Sequence, residues 1–131
     1  MLDQKGRRAR GLQVYRKMGW GTNPDLKELD EQLWSFTTDF VFGEIWARPG
    51  LSLRERELVV IAALIALGTE GMDIHLRFAH RLGITEAELK ELIFQVMYYV
   101  GQPRGLFAMK RLKAVMAETK KPSRRRTARR V

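Results

Sequence analysis

Apolar residues recur at spacings of three and four along most of the chain, and no stretch alternates with the period of two that marks a strand, so the pattern predicts an all-helical fold. Residues 7–18 form a first, basic helix stopped at Gly19-Trp20-Gly21. Asn23-Pro24 reads as an N-cap followed by proline at the first helical position. Beyond it Leu26, Leu29, Leu33, Phe36 and Phe40 make a single apolar stripe, with Lys27, Glu28, Asp30 and Glu31 facing away. Phe42–Leu51 reads as an irregular connector broken by Gly43, Pro49 and Gly50. Ser52 and Glu55 form a capping box that opens a helix through Leu58–Leu67, apolar on every face and therefore expected at the centre of the bundle. Gly68 and Gly71 bracket a turn, and a helix over Met72–Leu82 ends at Gly83. Thr85 and Glu88 form a second capping box, opening a helix to about Val100. Gly101-Gln102-Pro103 separates it from a last helix ending near residue 118. The pattern thus predicts about six helices in one domain, residues 1–118, followed by a tail over 119–131.

At 131 residues with 45% apolar content, one such domain can bury a core. The net charge of +9 suggests a polyanion ligand until the charges are located. Seven of them lie in 120–131, and without those the chain holds 17 bases against 15 acids. The basicity belongs mainly to a tail. A solvated, disordered arm is the more economical reading of KKPSRRRTARR, and nonspecific contact with nucleic acid is the alternative. The longest apolar run has ten residues, half of what a membrane span needs, so no membrane partner is expected. No apolar segment follows the N-terminal charges, which argues against a secretory signal. The chain has no cysteine, which excludes disulfides, thiolate metal sites and thiol nucleophiles, and is compatible with a cytoplasmic setting.

Four positions carry chemistry. Helical spacing sets His75 on one face with Phe78, Ala79 and Leu82, so its imidazole is expected to be at least partly buried. It reads either as a proton donor or as a hydrogen-bonded core histidine. Glu44 stands among Phe42, Ile45 and Trp46, where desolvation would suit it to proton transfer, and Arg48 four residues on would pair with it or bind a substrate carboxylate. An ordinary loop ion pair explains the same residues. Arg54, with Arg56, opposes the helix dipole in the first turn of its helix, which reads as anion binding or as pairing with a neighbouring acid. The wide apolar surface around Phe94, Tyr98 and Tyr99 exceeds one core face and suggests subunit packing. His75 and His80 are five apart, off the spacing of a helical metal pair, and neither a metal nor an organic cofactor is expected.

Taken together, the run FVFGEIWARPGLSLRERELVVIAALIALG and the later MDIHLRFAHRLGITEAELKELIFQVMYYVGQP resemble the carboxymuconolactone decarboxylase family over about residues 26–118. The resemblance implies an alkylhydroperoxidase D-like helical bundle assembled as a trimer or hexamer. In that superfamily's thiol branch a CxxC precedes the histidine. Here Gly68 and Gly71 stand at those places, so the thiol branch is excluded. The other branch implies a cofactor-independent lyase acting on a small anionic lactone in aromatic degradation. Carried over, His75 would donate the proton and Glu44 would be its partner or a second acid–base group. Arg48, with Trp46 and Arg54, would bind the substrate. The chain departs from the family pattern at Arg104-Gly105-Leu106-Phe107, where small residues are usual. That departure leaves a second expectation, a non-catalytic oligomeric binding or scaffold protein on the same fold.

Overall fold

The computed structural model describes residues 3–120, and within them every regular element is helical. The α-helices are α1 (Arg7–Met18), α2 (Pro24–Leu29), α3 (Glu31–Phe36), α4 (Leu53–Leu67), α5 (Met72–Phe78), α6 (Glu86–Val100) and α7 (Gln102–Lys120). A π-helix covers Thr37–Ile45, and a short 3-10 turn, Ala79–Leu82, extends α5. None of these helices is long and apolar enough to cross a membrane. Helix α7 takes in residues 119 and 120, the first two positions expected in the tail, and the rest of that segment lies outside the described residues.

The stops stand where glycine places them. Gly19 adopts φ 83° after α1, and the N–H groups of Gly19 and Trp20 close back on Arg16 and Tyr15. Gly83 repeats the device at φ 78°. The box at the start of α4 forms in both directions: Ser52 N–H donates to Glu55 at 2.9 Å, and Glu55 N–H donates to the Ser52 hydroxyl at 3.1 Å. The Ser52 N–H, and then its hydroxyl, hold the Glu55 carboxyl below its ordinary range.

Four expectations change. The stripe from Leu26 to Phe40 does not lie on one helix, because Asp30 is extended (φ −164°, ψ 122°), ends α2 and caps α3 by accepting from Leu33 N–H at 2.7 Å. Leu29, Leu33, Phe36 and Phe40 are exposed, and the buried row is instead Trp34, Thr38 and Phe42. Asn23 stands at the N-cap of α2 but at φ 56°, with no hydrogen bond from its side chain. Glu44, expected in an irregular connector, sits in the π-helix. Finally, α4 buries only Glu57, Ile61 and Ile65 along one row, while Val59 and Leu67 are open to solvent. Apolar character on all sides therefore did not mean enclosure within one chain.

Two compact units result, the first from residues up to Val60 with Phe78–Glu86, the second from Ile61–Arg77 with residues from Ala87 onward. In the first, the Phe42 ring lies 4.8 Å from that of Tyr15, 5.4 Å from Trp20 and 5.2 Å from Trp46. Tyr15 and Thr38, both fully buried, join through their hydroxyls at 3.0 Å, which satisfies a polar pair inside an apolar core. In the second, Leu76, Leu89, Ile93, Leu112 and Val115 are buried, and Arg111 grips Asp73 with two bonds at 3.0 and 2.6 Å.

Helix α1 and the π-helix touch backbone to backbone. A methyl group on Gly11 would stand 2.1 Å from the carbonyl oxygen of Thr38, and one on Gly43 would stand 2.2 Å from that of Arg7. Neither backbone oxygen can swing aside as a flexible side chain would. Gly11→Ala and Gly43→Ala should each cost about 1–3 kcal/mol through overpacking, read from urea denaturation midpoints. Gly50→Ala, where a methyl meets open space, is the comparison and should leave the midpoint unchanged.

Candidate active site

The close approach of α1 to the π-helix decides where Glu44 finds its counter-charge. Its side chain is 2% exposed. Arg7 donates to it from Nε at 3.3 Å, and the Arg10 guanidinium stands at 4.0 Å. A carboxylate withdrawn from water demands such neighbours, since its solvation loss amounts to several kcal/mol. Arg10 is itself steered by the backbone, donating from Nε to the Gly43 carbonyl at 3.0 Å and from Nη2 to the Asp3 carbonyl. The expected Glu44–Arg48 pairing is thus replaced by two arginines from α1. Counting four residues along a regular α-helix misjudged the partner, because Glu44 lies in a π-helix that ends before Arg48.

Arg48 does find company. A cavity of about 190 Å³ in the first unit is walled by Arg48, Trp46, Leu51 and Leu53 on one side and by Arg10, Val14 and Lys17 of α1 on the other. Trp46, 6% exposed, is fixed by stacking on Phe42 at 18° between planes. The Arg48 side chain is exposed, while its carbonyl accepts from Arg56 Nη2 at 2.9 Å, which ties the segment to the first turn of α4. Arg54 is half-buried in that turn, one residue beyond Leu53 and outside the cavity wall. Three cations and no acid line this space.

His75 belongs to the second unit, on α5. Its exposure is 9%, with Met72 and Leu76 buried on the same helix, so the imidazole occupies the apolar face that its spacing indicated. Among the described residues, no cluster of three or more histidine, aspartate and glutamate side chains could hold a metal ion.

Sequence reasoning missed Arg7, Arg10 and Lys17, all on a helix read only as weak and basic. The signal was present in their spacing. Positions 7, 10, 14 and 17 fall three, four and three apart, so Arg7, Arg10, Val14 and Lys17 share one face of α1. Glu57, fully buried in α4, was also passed over, because it stands at the polar start of a helix that otherwise reads as apolar.

A sequence model of the carboxymuconolactone decarboxylase family matches residues 31–114. This chain belongs to the carboxymuconolactone decarboxylase family. It is 42% identical over 86 residues to 4-carboxymuconolactone decarboxylase of Acinetobacter baylyi, a stretch that covers 65% of this chain and 64% of that protein. It is 32% identical over 75 residues to nitrosuccinic acid decarboxylase of Metarhizium robertsii, covering 55% and 51% respectively. The chain therefore spans just under two thirds and about half of the length of these two curated relatives. The family segment begins at Glu31, the first residue of α3, so α1 and the arginines that hold Glu44 lie ahead of it.

Arg10 and Glu44 should behave as one unit in stability. Arg10→Met and Glu44→Gln should each destabilise the fold, and the double variant should cost less than the sum by about 1–3 kcal/mol. Urea denaturation of the four proteins measures this coupling, and strict additivity would show that the pair does not interact.

Proposed function

We propose that this chain is a cofactor-independent carboxy-lyase that releases carbon dioxide from a small carboxylated lactone or a related acid, within aromatic degradation in the cytoplasm. The observation that carries the reading is a cavity lined by three cations and no acid, in a member of a decarboxylase family. Both relatives are named as decarboxylases of organic acids, which supports the reaction class. The absence of cysteine suits a reducing compartment.

In such a reaction the bond between the carboxylate carbon and its neighbour breaks and carbon dioxide leaves. The electron pair stays on the neighbouring carbon or spreads into its conjugated system, and one proton is added there. Arg48, with Trp46, would bind and orient the acid by charge and by an aromatic wall, while Arg54, outside the cavity wall, is left out of this role. His75 would supply the proton, a role that burial on an apolar face suits. Glu44, fixed by Arg7 and Arg10, would be the second acid–base group.

The same reading includes self-association. Tyr98 and Tyr99 are 86% and 77% exposed on α6, with Phe94 at 50%, an apolar surface that a second copy would cover in a trimer or hexamer. Tyr98→Glu should reduce the mass measured by light scattering to that of a smaller species. An unchanged mass would place the contact elsewhere.

Carbon dioxide release from 4-carboxymuconolactone and from nitrosuccinic acid tests the activity. The intact protein should turn over at least one of them. His75→Ala and His75→Asn should each lower kcat by at least about 100-fold while circular dichroism stays unchanged. Release at the original rate from either folded variant would remove His75 from the chemistry, and release from neither acid by the intact protein would contradict the assigned substrates.

A further inference from the structure

We propose that an exposed lysine row on α7 and the basic run that follows it form one nonspecific binding surface for duplex nucleic acid. The inference is independent of the lyase reading, because it uses none of the residues assigned to that site.

Periodicity sorts the side chains of α7. Gly105, Ala108, Leu112 and Val115 are buried at spacings of three, four and three. Lys110, Lys113, Ala117 and Lys120 follow the same rhythm on a face turned to solvent. Two other charges of the helix are engaged elsewhere. Arg111 grips Asp73, and Glu118, the one acid in α7, accepts from Arg77 Nη2 at 3.0 Å. Among the described residues, Lys110 and Lys113 make no ion pair. The dipole at a helix C-terminus favours a cation in the last turn, which accounts for Lys120. Lys110 and Lys113 stand about two turns or more before it, where that field has faded, so helix stability does not explain the row.

In sequence the row runs on into Lys121, Arg124, Arg125, Arg126, Arg129 and Arg130, with no acid among residues 121–131. The segment shared with the family ends at residue 114, so this run lies beyond it. A solvated arm explains the run taken alone, but not the lysines on the folded helix that leads to it. The surface offers charge without stacking. Neither the row nor residues 121–131 contain an aromatic ring, the group on which proteins stack the bases of a single strand. A duplex hides its bases and presents one phosphate charge per ~1.7 Å of axis. Guanidinium forks match phosphate oxygens, and five of the six cations in the run are arginines. An anionic membrane also presents phosphates, but stable attachment there needs a second, apolar signal. Residues 121–131 hold only Pro122, Ala128 and Val131 as apolar side chains.

The test is fluorescence anisotropy of labelled DNA duplexes of about 20 base pairs, titrated with the full chain across a salt series. Two duplexes of unrelated sequence should bind equally, and affinity should fall on the order of 10³-fold or more between about 50 and 200 mM salt. Replacing Lys110 and Lys113 together by Gln should make the slope of log affinity against log salt shallower by about 2. Replacing Arg124, Arg125 and Arg126 by Gln should do so by about 3. Lys5→Gln with Arg16→Gln, which removes two exposed cations from α1 and the turn before it, should leave the slope unchanged. Circular dichroism confirms the fold of each variant. A parallel titration uses vesicles of equal parts phosphatidylcholine and phosphatidylserine, which should bind more weakly than the duplex at the same salt. No duplex binding, a slope unmoved by the Lys110 and Lys113 replacement, or tighter binding to the vesicles would each overturn the proposal.

Discussion

Glu44 is drawn into the interior by the same packing that supplies its counter-charge. Its side chain can be 2% exposed because α1 lies against the π-helix closely enough for Arg7 and Arg10 to reach it. That approach depends in turn on two missing methyl groups, at Gly11 and Gly43, where the two backbones would otherwise collide. A carboxylate buried without those arginines would cost several kcal/mol, a large share of the stability of a small domain. Steric fit and charge compensation are therefore one constraint. The aromatic cluster of Tyr15, Trp20, Phe42 and Trp46 fills the space next to it and fixes the indole that lines the cavity.

A π-helix at this point has a structural consequence. With its wider turn, Thr37–Ile45 buries Thr38, Phe42, Gly43 and Glu44, so an acid and an aromatic ring are held inside the same short stretch. The Tyr15–Thr38 hydroxyl pair ties the start of that stretch to α1, and the Gly43 carbonyl receives Arg10 near its end. The segment that orients the candidate site is thus anchored at both ends by one helix.

Much of the fold was legible. Glycine stops at 19 and 83, the Ser52–Glu55 box and the helix that follows Gly101 are local signals, decided by residues a few positions apart, and each stands where the pattern indicated. His75 was placed on its buried face by spacing alone. What failed was decided at long range. Leu29, Leu33, Phe36 and Phe40 are exposed, while Thr38, polar by type, is buried beside a hydroxyl partner 23 residues away. The partner of Glu44 was misjudged because it comes from 37 residues upstream rather than four downstream. The apolar character of α4 misled in another way, since hydrophobicity on every side did not mean enclosure within this chain.

The central claim is that α1 and the segment around Trp46 together form a site for an organic anion, and nuclear magnetic resonance tests it most directly. The isotope-labelled protein would be titrated with cyclopentane-1,3-dicarboxylate while amide and indole N–H resonances are followed. The account predicts saturable shifts concentrated at Val14, Lys17, Trp46 and Arg48. Shifts absent from those residues, or concentrated on α6, would contradict it.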